Sequence, residues 1–600
     1  MSKQKKIASA IEEAISHRPL PLVIGITGHR DLREQDKPQL ADTLRRTFAE
    51  LREQYPHTPF LLITALAEGA DRFAAEIALE FDAELIAPLP FSKELYEHDF
   101  ETAASQTEFE SLLERSNHWF ELPLMEGYTE DDIREYGSPR DMHYAQCGAY
   151  IALRSQILIA LWNGEFSKLV GGTAHVVEFK LKGVGAPYAR AHSALDVIDS
   201  GPVYHIVTPR KSQFNTPDDA YTLKKLYPES PDHSAGSNYE FDMIYSRIDE
   251  FNRDAIETSE ELKDERSTSR SYLLSNDLQA RLSAKGIAML DLYAVADTLS
   301  VHYQKSTLMT LKVLLTFVFF AASFFHVYTH IYSGTDIFLY IYLAVFAMAY
   351  GWHFMAARKK LQSKYLDYRA LAEGLRIQFF WQIAGFHDSV AFYYLRKQKS
   401  ALDWVRHGVR SSLMSVMALQ NPDPLRQREL HQGELQQRHR HDDMHFLEGA
   451  QEERLSQVKK HWVKDQAMYF TKAAHREHHR LHKFEKLING TLALGFVLSL
   501  VQLFIPPNHA IWLIIGLAAI GAGMLHTYTE KRAFVQHSKQ YERMGNLFNR
   551  ADAHMETLLA ARNYQAACEF MGELGREALI ENGDWIHTHR DRPIEVPKGA

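Results

Sequence analysis

Short apolar segments alternate with amphipathic, helix-like segments over the first third of the chain. Between residues 21 and 209 the apolar runs are LVIGITG, FLLITAL, AELIAPL, ILIALW and VYHIV. Continuous Val, Ile and Leu content is typical of strands buried on both faces, and alternation with helices is typical of a mostly parallel sheet. The pattern therefore predicts an α/β, Rossmann-like domain.

A different pattern follows residue 210. Residues 240–306 have the pattern of long polar helices, which predicts a connector, and four apolar runs come after it at 313–329, 337–355, 487–505 and 511–525. Each run is about long enough to cross ~30 Å of hydrocarbon at 1.5 Å per residue. We therefore expect an all-α membrane region with four transmembrane helices in two hairpins, with buried core helices as the alternative.

These patterns divide the chain into seven predicted parts. They are an N-terminal helical lead (1–20), an α/β ligand-binding domain (21–235), a helical connector (236–306), a first transmembrane hairpin (307–357), a cytoplasmic helical region (358–486), a second hairpin (487–528) and a C-terminal cytoplasmic helical region (529–600). Each hairpin is followed by a charged amphipathic helix with Tyr and Arg at similar offsets, which suggests a duplicated two-span module.

The charges beside the apolar runs predict their orientation. Lys and Arg flank the ends that face the large polar regions, whereas neither hairpin turn contains Lys or Arg. Basic residues favour the cytoplasmic side, so we expect a multi-pass protein of the cell inner membrane with both termini cytoplasmic. Few polar residues line the spans, so a pore would need a homo-oligomer.

Composition narrows the function classes. The net charge of -9 argues against nucleic acid as a partner, since nucleic-acid-binding domains carry a basic excess. The lipid bilayer is one expected partner. Only two cysteines occur in 600 residues, which argues against a disulfide framework.

Glycine-containing turns follow several predicted strands and would meet at one edge of the sheet. Open α/β sheets bind ligands at that edge, where backbone N–H groups and helix N-termini attract phosphate. The first turn and the start of the helix that follows ILIALW are predicted to hold phosphates, and the second turn is predicted to accept ribose hydroxyls. The predicted ligand-binding residues are Gly25, Thr27, Gly28, His29, Arg30, Glu68, Gly69, Asp71, Arg72, Pro90, Trp162, Gly171, Gly172 and Thr173.

Structural roles compete with these assignments. Glycines at such positions often serve only to make a tight turn. The alternative for Arg30 and Asp71 is a structural ion pair near the sheet edge, and plain packing is the alternative to base stacking for Trp162.

Taken together, several motifs carry a family resemblance. The set GITGHRDL, LAEGADRFAAEIAL, LIAPLPF, Tyr96 with Asp99-Phe100, LIALWNG and GGTAHVVEF resembles the SLOG superfamily, most of all its prokaryotic TRPM-associated branch. That superfamily includes LOG phosphoribohydrolases, DprA proteins and the sensor domains of TRPM channels. The segments YRALAEGLRIQFFWQIAG and ALIENGDWIHTHRDRP are similar to SLATT-type two-span effector modules of bacterial defence systems.

The resemblance implies a nucleotide-derived ligand, such as an ADP-ribose or NAD derivative, but not catalysis. LOG-type hydrolases place a catalytic Glu within three residues of the Thr in PGGxGTxxE, whereas here Glu178 lies five residues after Thr173, and Gln146 stands near the expected Arg. Without a placed acid and base, hydrolysis has no obvious agent. No catalytic residue, and no cofactor other than this ligand, is assigned.

Histidine-rich stretches raise the question of a metal. His475, His478, His479 and His482 share one helical face, and HRHDDMH spans 439–445, but no Cys or acid pair completes a ligand shell, so no metal is assigned. Three functions remain. The leading one is a ligand-gated membrane effector, plausible in antiphage defence, and the others are a membrane-anchored nucleotide phosphoribohydrolase and a membrane scaffold.

Overall fold

The computed structural model divides into two compact units. It describes residues 18–100, 102–166, 169–189, 199–213, 215–229, 236–333, 335–394, 402–419, 446–447, 449–590 and 592. Within these, unit one comprises Met1–Arg270, Ser275–Val295 and Gly374–Glu448, and unit two comprises Ser271–Leu274, Ala296–Glu373 and Gly449–Ala600. The helical lead, apart from its last three residues, and the 439–445 stretch lie outside the described residues. The finer seven-part division stays a prediction.

A seven-stranded sheet forms the centre of unit one. Its strands are β1 (Leu22–Gly28), β2 (Phe60–Ile63), β3 (Glu84–Leu89), β4 (His118–Glu121), β5 (Ile157–Trp162), β6 (Val203–Val207) and β7 (Leu223–Leu226). The order across the sheet is β4-β3-β2-β1-β5-β6-β7, and only β6 with β7 is antiparallel. The predicted Rossmann-like parallel sheet is confirmed.

Helices cover the sheet. In chain order they are α1 (Lys37–Gln54), α2 (Ala70–Leu79), α3 (Lys93–Glu97), α4 (Ala103–Arg115), α5 (Ser138–Arg154), α6 (Thr173–Lys182), α7 (Gly236–Glu257), α8 (Lys263–Leu273) and α9 (Asn276–Gln279). The central strands β1, β2 and β5 are almost wholly buried, as their apolar composition predicts.

Two strands were not predicted, and one is shorter than expected. β4 (HWFE) and β7 (LKKL) are short, partly exposed edge strands without a long apolar run, so the sequence gives them little signal. β2 ends at Ile63 rather than at the end of FLLITAL, because the chain leaves the sheet through Leu66, whose φ is +54°.

Helix α7, at the start of the predicted connector, is packed into unit one. The side chain of Asn252 bridges the backbone just before β1: its Nδ2 donates to the carbonyl oxygen of Leu20 and its Oδ1 accepts from the Leu20 N–H, both at 2.9 Å. Asn252 is fully buried, so these bonds satisfy groups that water cannot reach. This part of the connector therefore belongs to the body that holds the sheet.

The remaining helices include the membrane segments, but the helix Asp403–Met417 belongs to unit one. They are α10 (Ala284–His330), α11 (Ile337–Arg358), α12 (Leu361–Ala384), α13 (Asp403–Met417), α14 (Gln451–Val458), α15 (Asp465–Gln502), α16 (His509–Lys531), α17 (Phe534–Ala560) and α18 (Tyr564–Arg590). A π-helical segment, Lys459–Lys464, joins α14 to α15. Four helices in the described residues are long and apolar enough to cross a membrane. The predicted all-α region with four candidate spans is confirmed.

Unit two contains an internal repeat with a constant spacing. α10 ends at His330 and α15 at Gln502, and their partners α11 and α16 begin at Ile337 and His509. After each hairpin one residue has a left-handed backbone, Lys360 (φ 49°) and Ala533 (φ 52°), and α12 or α17 follows at once. Each pair of landmarks is 172 or 173 residues apart. The structure thus agrees with a duplicated two-span module.

The two hairpins touch through α10 and α16. His326 Nε2 on α10 lies 3.2 Å from the carbonyl oxygen of Trp512, so its N–H can donate to that carbonyl. A Cβ at Gly516 would stand 2.1 Å from the His326 ring, so the ring fits only because residue 516 is glycine.

Replacing Asn252 should loosen the attachment of α7 to β1. We expect Asn252→Leu to lower the free energy of unfolding of unit one by about 2–4 kcal/mol, because two buried backbone groups lose their partners. Asn252→Asp, which keeps the acceptor and loses the donor, also places an ionised carboxylate opposite the Leu20 carbonyl and should be destabilising as well. Hydrogen exchange of the β1 amides in the detergent-solubilised chain measures both, and unchanged protection would contradict this role.

Candidate functional site

The candidate site lies where the direction of strand succession reverses. β1 pairs with β2 on one side and with β5 on the other, so the loops after β1 and β5 lie at the carboxyl edge where open α/β sheets have their ligand-binding crevice. The backbone N–H of His29 donates to the Leu161 carbonyl, and the Asn163 N–H donates to His29 Nε2, both at 3.0 Å. These bonds hold the two loops together at the base of the crevice.

His29 is uncharged at neutral pH. Burial, helped by the positive charge of Arg210, lowers its pKa to about 4. Since Nε2 accepts the Asn163 N–H, the ring proton belongs on Nδ1. His29 therefore positions the β5 loop, and it supplies no positive charge to an anionic ligand.

The predicted glycine turns pack directly against each other. A Cβ at Gly28 would lie 2.4 Å from the Ala70 Cβ, and one at Gly69, whose φ is +85°, would lie 2.3 Å from the Arg30 carbonyl oxygen. The Ala70 N–H also donates to the His29 carbonyl at 3.0 Å. Contact between the turns thus requires glycine at both positions even without a ligand.

Arg30 is the predicted phosphate contact that is best placed for one. Its side chain is 46% exposed, and its guanidinium lies 5.3 Å from the centre of the Tyr144 ring, with Nη2 3.7 Å from Asp99 Oδ2. The ion pair that Arg30 makes at this edge is therefore with Asp99, and a structural pair of Arg30 with Asp71 stays a prediction. The exposed part of the guanidinium can still bind an anion.

Asp99 is the centre of a buried network that the site residues predicted from sequence did not include. Its carboxylate is inaccessible to solvent and receives hydrogen bonds from Arg140 Nη2 at 2.5 Å, from the Tyr144 hydroxyl, and from the Tyr136 hydroxyl at 3.2 Å. Among the described residues, Arg140 makes the closest ion pair with this carboxylate. Arg30, farther away, can leave without stranding a buried charge.

Asp71 is the second residue of α2 and is buried beneath the same edge. Thr64 Oγ1 donates to its carboxylate at 2.9 Å. Burial raises its pKa to about 6, although this hydrogen bond, a bond from the Ala67 N–H and the charges of Arg30 and Arg72 oppose the change. Such a carboxyl is poorly available to a ribose hydroxyl, whereas Glu68, two residues before the start of α2, is only half-buried.

Two other predicted residues are occupied by the protein itself. Arg72 is fully buried, donates from Nε to the Leu66 carbonyl and from Nη1 to the Ser105 carbonyl, and lies 4.2 Å from the centre of the Phe100 ring. Trp162, 2% exposed, contacts Phe166 and His205 edge-on or tilted, which favours the packing alternative. A ligand role for either stays a prediction without a supporting contact.

The remaining predicted residues lie at different depths. Gly25 is inside β1, three residues before its end, and lets α5 approach, since its Cβ would be 2.9 Å from Ser155. Thr27 is buried in the same strand, and Pro90 is buried just after β3. These three shape the floor of the edge, and their contact with a ligand stays a prediction.

Helix α6 begins at the mouth of the crevice. Gly172 is its N-cap and Thr173 its first residue, and Gly171, with φ +77°, passes so close to α5 that a Cβ would lie 2.7 Å from the Asp141 carbonyl. The helix N-terminus offers backbone N–H groups and partial positive charge. On the same helix Glu178 is 45% exposed and paired with Lys182 at 2.8 Å.

The first membrane hairpin, but not the sheet, matches a known family. Residues 291–383, which include α11 and most of α10 and α12, match the family described as SMODS and SLOG-associating 2TM effector domain 3. That family is one of the SLATT families, so the expected SLATT similarity is confirmed for the first hairpin. No SLOG family matches the sheet region, and no curated protein matches the chain. The match and the four apolar helices point to a multi-pass membrane protein.

Gly28→Ala should destabilise the crevice without any ligand present. The added methyl meets Ala70 and the Leu161 carbonyl oxygen, and we expect a loss of about 1–3 kcal/mol in unfolding free energy. Gly185→Ala is the matched control, because nothing lies within 4 Å of its Cβ position. Thermal unfolding in detergent compares the two, and equal melting temperatures would argue against turn-on-turn packing.

Asp71→Asn should stabilise unit one at high pH and not at low pH. The folded-state pKa of about 6 exceeds the ordinary 3.8, so the native chain forfeits stability as pH rises through 6 and regains it below 3.8. Asparagine does not ionise, so the unfolding free energy of the variant should exceed that of the native chain by up to about 3 kcal/mol at pH 8. This difference should shrink toward pH 4.5. Asp42→Asn, at an exposed position on α1, is the control. A gain independent of pH would contradict the assignment.

Proposed function

We propose that this protein is a membrane effector in which the sheet domain senses a nucleotide-derived anion and the helical unit permeabilises the bilayer. The observation that carries the proposal is a matched two-span effector segment on the same chain as a Rossmann-like sheet with an anion-compatible edge. The family description pairs such effectors with SLOG domains, which the sheet resembles by its motifs. A role in antiphage defence is consistent with this pairing.

The chemistry of the edge favours a ligand with phosphate and hydroxyl groups. Arg30 offers a partly exposed side chain whose guanidinium suits bidentate phosphate contact, and the start of α6 offers N–H groups for a second phosphate. Glu68 can accept from ribose hydroxyls. An ADP-ribose or NAD derivative carries this combination of groups.

Binding without turnover suits these side chains better than hydrolysis. Glu178, the nearest acid after Thr173, is half-exposed and paired with Lys182, so it is neither buried nor aimed by a fixed partner within the site. One observation favours the alternative, a membrane-anchored nucleotide phosphoribohydrolase: burial brings the pKa of Asp71 to about 6, which suits proton transfer near neutral pH. Product analysis separates the two.

A ligand can open the membrane unit only if it binds one conformation better than the other. Moving the equilibrium from 1:99 to 99:1 requires a difference of about 5.5 kcal/mol in binding free energy. Contacts of Arg30 and the α6 N-terminus with two phosphates are of the type that supplies such differences. The scaffold hypothesis needs no such difference and therefore predicts no response to any nucleotide.

The test is dye leakage from liposomes that contain the full chain. ADP-ribose or NAD should bind and cause leakage, and Arg30→Gln should weaken binding by about tenfold to a hundredfold, since a charge-assisted hydrogen bond contributes about 1.5–3 kcal/mol. The control is Arg45→Gln, which removes an equal charge from α1, where Arg45 pairs with Glu80. It should change neither binding nor leakage.

The outcomes discriminate among the three functions. Binding and leakage with intact nucleotide recovered afterwards support the sensor. Release of free base that disappears in Asp71→Asn or Glu178→Ala supports the hydrolase. No binding and no leakage with either nucleotide would refute the proposed ligand class.

A further inference from the structure

The membrane helices at equivalent positions of the repeat differ in how much of their surface is covered. α10 and α15 are the first helices of the two hairpins, and α11 and α16 are the second. In the most apolar 18-residue stretch of each span, 22% of the residues are buried in the helix that contains α10 and 11% in the helix that contains α16. The corresponding values are 6% for α11 and 0% for α15. The better covered helices, α10 and α16, touch each other, and α16 also packs against α15, its partner in the second hairpin.

The α10–α16 contact shows what an equivalent contact would look like. His326 of α10 fits over Gly516 of α16 and reaches the Trp512 carbonyl, and the ring of Phe319 lies 3.9 Å from the Cβ position of Gly521. The contact joins the first helix of one module to the second helix of the other. Small residues permit this close approach, as is general between membrane helices.

The spacing of 172 or 173 residues locates the equivalent surfaces. Leu498 and Ser499 of α15 correspond to His326, and Leu343 and Ala344 of α11 correspond to Gly516. Ser499, Ala344 and Leu343 are exposed, Leu343 by 51%. The surface of α15 around Ser499 and the surface of α11 around Ala344 are therefore the repeat counterparts of a contact that the chain already makes once.

We infer that α15 of one chain packs on α11 of a second copy, as α10 packs on α16 within the chain. The two surfaces differ, so the contact is head-to-tail and would build a ring, or a filament if the rotation does not close. Exposure of apolar side chains alone would suit lipid equally well. The repeat favours a second copy. The contact of α10 with α16 shows that the first helix of one module packs on the second helix of the other, and α15 and α11 are the equivalent pair.

Disulfide cross-linking in membranes tests this contact with the full chain. In a Cys568→Ala background, with Cys147 buried, one tagged chain carries Ala344→Cys and a differently tagged chain carries Ser499→Cys. Co-expressed, the two should form a cross-linked dimer on oxidation, and neither alone should. One chain with both substitutions should give a ladder of multiples of the chain mass.

The in-chain contact supplies the matched control. A chain with His326→Cys and Gly516→Cys should cross-link internally, as peptide mass spectrometry detects, without any increase in mass. If the 326–516 disulfide forms but no disulfide joins residues 344 and 499, lipid covers these surfaces and the inference is overturned. A dimer from either single variant, an internal 344–499 link or failure of the control pair would overturn it as well. None of these readouts depends on a nucleotide, so they stand apart from the proposed function.

Discussion

Peptide groups in hydrocarbon have no water to hydrogen-bond, and this constraint determines the form of unit two. Each apolar run must be a continuous helix, because a helix satisfies its backbone within the segment. The backbone departs from helix at Lys360 and Ala533, which follow the apolar stretches of α11 and α16. Both breaks occur beside basic residues, where water can hydrate the peptide groups.

The same reasoning explains which parts of the fold were predictable. Buried strands and membrane helices are long apolar runs, so β1, β5 and all four spans could be found from the sequence. β4 and β7 could not, since an edge strand keeps a polar face and resembles a loop. The repeat was visible only as similar Tyr and Arg offsets, and its regular spacing emerged from helix ends and backbone angles that sequence does not display.

The candidate site was predictable in position and less so in detail. The Gly-containing turns lie at the carboxyl edge of the sheet, as a parallel topology requires, but the closeness of Gly28 to Ala70 depends on tertiary packing. Asp99 was missed as a centre of charge because its partner Arg140 is 41 residues away in the chain. Arg72 and Trp162 carry groups that suit a ligand, and only burial shows that the protein uses them itself.

The contact between Gly69 and the backbone of Arg30 has a mechanical consequence. The two backbones pass too close for any side chain at residue 69, and the Ala70 N–H is bonded to the His29 carbonyl. A displacement of the Arg30 backbone toward α2 would therefore push against the first turn of that helix. A ligand that shifts Arg30 together with its backbone would therefore also shift α2, through the close contact at Gly69.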